Sequence, residues 1–278
     1  MGELTGAPGR GYAGRVHDQT VRHRFFAPHL SPPAATLGET EAHHALHVLR
    51  LKVGQPVELF DGRGRWAVGR ISQADRRTAG VEFDSVLGPA PCPRPRIHLA
   101  FAPPKGKRLD WLLEKAAELG VESLEMLICR RSVVTPPGSS AALARYQAIC
   151  ISAVRQSGQL YLPRLAAPVE LSEYLRAGPA GLGILAHGGP DTPRLAHVAL
   201  PREIADVTVL IGPEGGWSTE ETALAEQAGY LPARLGHSIL RVETAAIAMA
   251  AALRAVLEEP CDTALPCRST DSSVQAGD

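Results

Sequence analysis

The spacing of apolar positions changes along the chain, and the changes divide it into parts. Residues 55–86 alternate apolar and polar over short runs, in "QPVELFDGRG", "RWAVGRI" and "AGVEFDSV". A period of two marks half-buried strands, and Asp61-Gly62 supplies hairpin turn chemistry between the first two. A small β-rich module is expected there. Beyond residue 96 the pattern becomes strand, helix, strand: "IHLAFA", "KRLDWLLEKAAELG" and "SLEMLI". In that helix Leu109, Leu112, Leu113, Ala116 and Leu119 share one face, and Gly120 ends it. Alternating strands and helices predict a mostly parallel α/β sheet. Between the two patterns lies "GPAPCPRPR", Gly88 to Arg96, whose alternating prolines favour an extended connector and place the domain boundary.

Two later segments carry stronger signals. Val207 to Ile211 is short and β-branched, as in a buried strand of a parallel sheet, and it runs into "LIGPEGGWSTEE". Ser218 with Glu221 three residues on forms a capping box that starts a helix. The intervening Gly212, Gly215 and Gly216 fit neither the dinucleotide fingerprint nor a phosphate loop. They are either plain turn chemistry or a place where a ligand approaches the backbone. In "LGHSILRVETAAIAMAAALRAVLEE", Gly236 to Ser238 reads as a turn and an Ala-rich helix follows to about Glu259. So apolar a helix is expected to be buried or to sit in an interface. Arg241 and Glu243 at its threshold are charges near a core, which need partners or a function.

With 278 residues, 45% of them hydrophobic, two modest cores are possible. Lys plus Arg equal Asp plus Glu at 29 each, so net charge points to no particular partner. The first 96 residues carry 13 basic against 9 acidic side chains, leaving 16 against 20 behind; a basic front module is compatible with phosphates or with ordinary scatter. Five scattered cysteines without C-x-x-C spacing indicate neither a disulfide framework nor zinc. No membrane span or apolar leader core is evident, so a soluble cytoplasmic protein is expected. Residues 1–20 and 263–278, poor in large apolar residues, are expected to be disordered.

Three groups of side chains could carry chemistry. His43, His44 and His47 in "EAHHALHVLR" put two imidazoles one helical turn apart, but the metalloprotease glutamate is missing and no third ligand is evident, so packing is expected and no metal. Lys105, Lys107 and Arg108 cluster at a strand-to-helix junction, where cations oppose the helix dipole; they are a solvated helix start or a contact for RNA phosphates. Gln156 and Ser157 precede Gly158, the expected helix stop, and are surface residues or part of a site.

In this order, "HRFF", "HHALHVLRLKVGQPVELFDGRG", "KGKRLDWLLEKAAELGV", "RRSVV", "RQSG" with "LP", "IGPEGGWSTEE" and "LGHSILRVETAA" resemble the RsmE-type ribosomal RNA uridine N3-methyltransferases of the SPOUT superfamily, over about residues 22–258. The resemblance implies a PUA-like RNA-binding β-barrel at 21–90 and an α/β, parallel-sheet SPOUT domain at 91–262 with a C-terminal trefoil knot. It implies S-adenosylmethionine (SAM) as cofactor, held by Ala186, His187 and Gly188, by Ile211, Gly212, Pro213, Glu214, Gly215 and Gly216, and by Leu235, Gly236, Ser238, Ile239 and Leu240. The expected RNA contacts are Arg24, Arg50, Lys105, Lys107, Arg108, Gln156 and Ser157; Arg241 is the candidate cation beside the uracil oxygens and Glu243 the candidate for orientation or proton transfer. Small-subunit 16S ribosomal RNA, free or in the assembled subunit, is the implied partner, and a homodimer the implied assembly. The rival readings are methylation of a ribose 2′-hydroxyl or another base, and a catalytically silent RNA-binding protein of the same fold. This chain has Arg155 and Arg130 where the family more often carries glutamate, and Gln159 and Ser238 where it carries arginine. These departures lie around the expected RNA-facing side and leave the cofactor loops intact.

Overall fold

In a computed structural model, residues 23–257 are described except 76, 135–137 and 202. The expectations for residues 1–20 and 263–278 lie outside the described residues. The alternating front segment forms β1 (Arg24–Phe26), β2 (Ala34–Leu37), β3 (Pro56–Phe60), β4 (Trp66–Ala74) and β5 (Ala79–Glu82), with helix α1 (Glu39–His43) between β2 and β3. They make one sheet in the order β1-β3-β4-β5-β2. The period of two decides its inner face: along β4, Ala67 and Ile71 are buried and their neighbours are more exposed. A bulge between Ile71 and Gln73 interrupts the β4–β5 register, a device that bends a sheet around its core. Phe25, Leu37, Val57, Leu59 and Val81 fill that core.

The hairpin at Asp61-Gly62 is longer than a two-residue turn. Asp61 Oδ1 accepts bonds from the Arg63 and Arg65 amides at 2.8 and 3.0 Å, folding the backbone onto its own side chain. A Cβ on Gly64 would lie 2.3 Å from the Tyr161 hydroxyl of the back module, so the hairpin tip is a docking surface. The proline connector is likewise held: Ala90 N donates to Gly64 O at 2.8 Å and Tyr161 OH donates to Ala90 O at 2.5 Å.

Behind the connector come β6 (Arg96–Phe101), α2 (Lys107–Glu118), β7 (Ser123–Ile128), α3 (Ser140–Ser157), β8 (Arg164–Leu165), β9 (Val169–Glu170), α4 (Leu171–Tyr174), β10 (Leu182–Ala186), β11 (Asp206–Ile211), α5 (Thr219–Gln227), β12 (Tyr230–Ala233) and α6 (Val242–Leu257). The strands pair in parallel in the order β12-β10-β11-β6-β7-β8, with β9 also on β7. The chain leaves β6 in one direction and returns on its other side at β10 and β11. Ligands of open parallel sheets sit outside the carboxyl ends of strands where the order reverses in this way. The helix at 107–118 buries Leu109, Leu112, Leu113 and Ala116, as its spacing predicts, and α6 buries Val242, Ala246, Met249, Ala250 and Leu253 against the same core. Among the described residues no helix is long and apolar enough to cross a membrane.

The amino ends of the central strands β6, β7 and β11 carry a polar lock. His98 bonds Ser123 Oγ through Nδ1 and Asp206 Oδ1 through Nε2, each at 2.9 Å, and Arg96 grips both Asp206 oxygens at 2.8 and 2.7 Å. The Arg96 bond leads in holding the Asp206 carboxyl below its ordinary pKa; burial opposes it and the His98 bond adds to it. A depressed folded pKa stabilises the fold above the unfolded value of about 3.9, and the contribution disappears as pH falls through the folded value. Asp206→Asn is therefore expected to lower the urea midpoint at pH 7, with the gap to wild type narrowing below about pH 4. Urea titrations at both pH values check this, and a gap that stays constant refutes it.

Candidate active site

The carboxyl ends of β10, β11 and β12, with the turn into α6, enclose a cavity of about 960 Å³. Six of the residues that line it are glycines, and local contacts fix the loops that carry them. After β11, the Trp217 indole folds back over Gly212, where a Cβ would come within 2.7 Å of the ring. Its Nε1 donates to Ala186 O at 3.0 Å, tying the glycine loop to the end of β10. From the loop after β7, Arg131 donates to the carbonyls of Gly215 and Trp217, both at 3.2 Å. The capping box then forms in full: Ser218 Oγ accepts from Glu221 N, and Glu221 Oε2 accepts from Ser218 N. Glu221 Oε1 accepts from Arg130 N at 2.7 Å, so one buried carboxylate fixes both α5 and the Arg130–Arg131 turn.

The other walls are set as tightly. His187 N donates to Ala233 O at 3.0 Å, and the His187 Nδ1 accepts from Gly189 N at 3.1 Å, which turns the chain sharply after β10. Cβ atoms on Gly188, Gly216 and Gly236 would meet nothing within 4 Å, and all three glycines line the cavity. Every residue expected to hold the cofactor lines it, and so does Arg241. Arg241 is exposed and has no ion-pair partner among the described residues; Glu243, one residue into α6, is buried. Glu243 Oε2 is buried without a hydrogen-bond partner, a costly state for a carboxylate unless something else meets it.

Arg108, expected at an RNA surface with Lys105 and Lys107, lines the cavity, 2.5 Å from Glu214 Oε1 and 4.0 Å from Glu243 Oε1. Lys105 and Lys107 are exposed. Arg24 requires a correction. Its side chain is 11% exposed and its donors go to Glu58 and to the carbonyls of Val154, Arg155 and Gln159, so it joins the two modules and offers no free surface for RNA. Arg50, Gln156 and Ser157 are exposed, the last two at the end of α3. The His43 and His47 rings lie tilted against one another, with centroids 5.1 Å apart, and among the described residues no group of three or more His, Cys, Asp or Glu could hold a metal ion. Trp217, Arg131 and Arg234 also shape the site and escaped sequence reasoning. A tryptophan beside a glycine run was the one local signal.

Such a site can enclose an elongated polar molecule and present the Arg241 guanidinium to whatever reacts; the Glu243 carboxylate lies next to the wall, behind Arg108, and is not among the lining residues. Comparison with known proteins agrees with this geometry. The model of the RNA methyltransferase domain family matches residues 91–254, and that of the RNA methyltransferase PUA domain matches residues 37–84. Ribosomal RNA small subunit methyltransferase E of Synechocystis is 32% identical over 80% of this chain and 73% of its own length. Its counterpart in Mycobacterium bovis is 30% identical over 76% and 82%. Among solved structures, a Legionella pneumophila methyltransferase in complex with SAM has a TM-score of 0.78 at 32% identity, covering 85% of this chain and 98% of that one. The Neisseria gonorrhoeae ribosomal RNA small subunit methyltransferase E bound to SAM has a TM-score of 0.76 at 29% identity, covering 84% and 97%.

Proposed function

Because the chain belongs to the RsmE family of ribosomal RNA small subunit methyltransferases, we propose that it methylates N3 of a uridine in 16S ribosomal RNA. SAM-dependent methylation of ribosomal RNA is the activity of the family, and the residues present fit that cofactor. The cavity falls within the roughly 300–1,000 Å³ typical of ligand sites. Gly188, Gly216 and Gly236 line it with no other atom within 4 Å of where a Cβ would stand, so the wall there is open. The turns at 186–188, 211–216 and 235–240 would hold the cofactor, which supplies a methyl group already activated by its sulfonium.

The protein's own part is to orient the base, exclude water and move one proton. Uracil N3 carries a proton and is a poor nucleophile until it leaves. The observation that carries the proposal is the unpaired, buried Oε2 of Glu243 beside Arg108. In this reading Glu243 accepts the N3 proton or holds the base for its removal. Arg241, exposed at the rim, meets the uracil oxygens and favours the anion. An unpaired uridine is required, since pairing hides N3. Nucleoside mass spectrometry of 16S ribosomal RNA incubated with the protein and SAM is expected to yield 3-methyluridine. A 2′-O-methyl product overturns the choice of atom, and RNA binding without turnover favours the silent reading.

Glu243→Gln keeps the shape and removes the proton acceptor. It is expected to slow single-turnover methyl transfer about 10²-fold or more, the usual scale of acid–base catalysis, while SAM affinity changes less than about threefold. Equal losses in both would make Glu243 a binding residue only.

We assign residues 21–90 to the RNA-binding module and 91–262 to the catalytic one. We infer that the last helix follows the threaded, knotted course that the resemblance to this family implies. Ile239 and Val256 are 94% and 67% exposed, which favours a homodimer; light scattering on the purified protein tests it.

A further inference from the structure

Outside the cavity, three basic side chains converge on the rim. The segment after β10 and the turn after β12 run side by side, joined by Leu195 N to Arg234 O at 2.8 Å and Arg234 N to Pro193 O at 2.9 Å. Arg234 is fixed further, its Nε donating to Thr192 O at 2.7 Å and a terminal nitrogen to Gly236 O at 3.2 Å. This rigid base brings two guanidiniums onto one imidazole. Arg194 lies 2.6 Å from His237 Nε2, and Arg234 lies 3.3 Å from His237 Nδ1.

An imidazole flanked by donors on both nitrogens cannot satisfy both. A neutral ring has one acceptor nitrogen and one N–H, so one contact sets donor against donor; a protonated ring opposes both. Among the described residues no carboxylate lies within ion-pair reach of Arg194, Arg234 or His237. The trio therefore gathers at least two positive charges with no internal counter-ion. Neither Arg194 nor His237 lines the cavity, whereas Arg234 and Gly236 do, so the charge stands at the lip and not on the floor.

We infer that Arg194, Arg234 and His237 form a phosphate site that grips a backbone phosphodiester of the RNA strand beside the target nucleotide. This deepens the function proposed above and rests on its reading of RNA as substrate. A phosphodiester oxygen accepts from two guanidiniums at once and leaves His237 free to donate, which resolves the donor conflict. Phosphate contacts set register on the strand without reading its sequence. A grip on the same rim that frames Gly236 would fix where the neighbouring base enters.

The test uses the full-length protein, a small-subunit ribosomal RNA transcript, isolated small subunits and SAM. Arg194 is the cleanest target, because its one side-chain contact among those described is with His237. Arg194→Gln is expected to raise the Kd for RNA about fivefold and to reduce the slope of log Kd against log salt by roughly 0.7, the value for one phosphate on a single strand. Arg194→Lys should restore most of the slope, and His237→Gln should weaken RNA binding less than Arg194→Gln. SAM affinity by calorimetry should stay within twofold in all three. Unchanged RNA affinity and slope in a protein that still methylates overturns the phosphate site and leaves the proposed function standing. Loss of SAM affinity with RNA binding intact also overturns it, assigning the trio to the cofactor's carboxylate. If wild type binds neither RNA nor SAM, both readings fall together.

Discussion

Replacing Gly236 with leucine is expected to weaken SAM binding at least about 100-fold, equivalent to roughly 2.7 kcal/mol, while the melting temperature moves by less than about 2 °C. The two effects separate because of where the side chain goes. Gly236 lines the cavity, its backbone avoids the left-handed region, and a Cβ there meets nothing within 4 Å. The fold therefore loses no contact, and a flexible residue becomes a stiffer one, a change worth a few tenths of a kcal/mol in the folded state's favour. Four carbons then stand in space the ligand needs. Gly212→Ala makes the useful contrast. There the new methyl meets the Trp217 ring at 2.7 Å, so the indole must move and its bond to Ala186 O weakens. That variant should lose stability and affinity together. Calorimetry and thermal unfolding on both proteins decide the matter, and undiminished SAM affinity in Gly236→Leu would falsify the placement of the cofactor.

Local features were legible in the sequence because their causes are local. The run Val207–Ile211 is the buried centre of a parallel sheet, Ser218 and Glu221 close their box, and the leucine spacing after Lys107 marks the buried face of a helix. The glycines at 212–216 raised a question that only the other turns answer. A cavity emerges when the ends of β10 and β12 come alongside, and those alignments lie in pairings such as Ala186 with Ile211 and Ala233. Charged side chains were read least well. Arg108 looks like one of three basic residues at a helix start, yet its partner Glu214 is 106 positions away. The trio on the rim joins residues 43 apart that no motif connects. A guanidinium reaches far and binds whatever carboxylate or carbonyl the fold brings to it, so its role is a property of topology.

Arg24 shows how large that topological contribution is. Truncating it to methionine is expected to destabilise the protein by about 3–5 kcal/mol, the cost of breaking a buried ion pair from one side. The side chain is 11% exposed and its partner Glu58 7%, so little water replaces the lost 2.8 Å bond. The guanidinium also donates to Val154 O, Arg155 O and Gln159 O at 3.1, 3.2 and 2.8 Å, serving carbonyls in and just beyond the last turn of α3 that the helix itself leaves open. It lies 4.9 Å over the Phe60 ring, whose side chain packs in the core of the back module. By contrast Arg164, 70% exposed and 3.7 Å from Glu122, makes a surface pair worth about 0–1 kcal/mol. At roughly 2–4 °C per kcal/mol for a protein of this size, Arg24→Met should lower the melting temperature by about 6–20 °C, and Arg164→Met by a few degrees at most. Adding Glu58→Met to Arg24→Met removes the stranded carboxylate and should recover part of the loss, which a double-mutant cycle measures. RNA binding gives a second readout. Since the donors of Arg24 are spent on the protein, the salt dependence of RNA affinity should be unchanged in Arg24→Met measured well below its melting point. A lower slope there, with stability intact, would return Arg24 to the RNA surface.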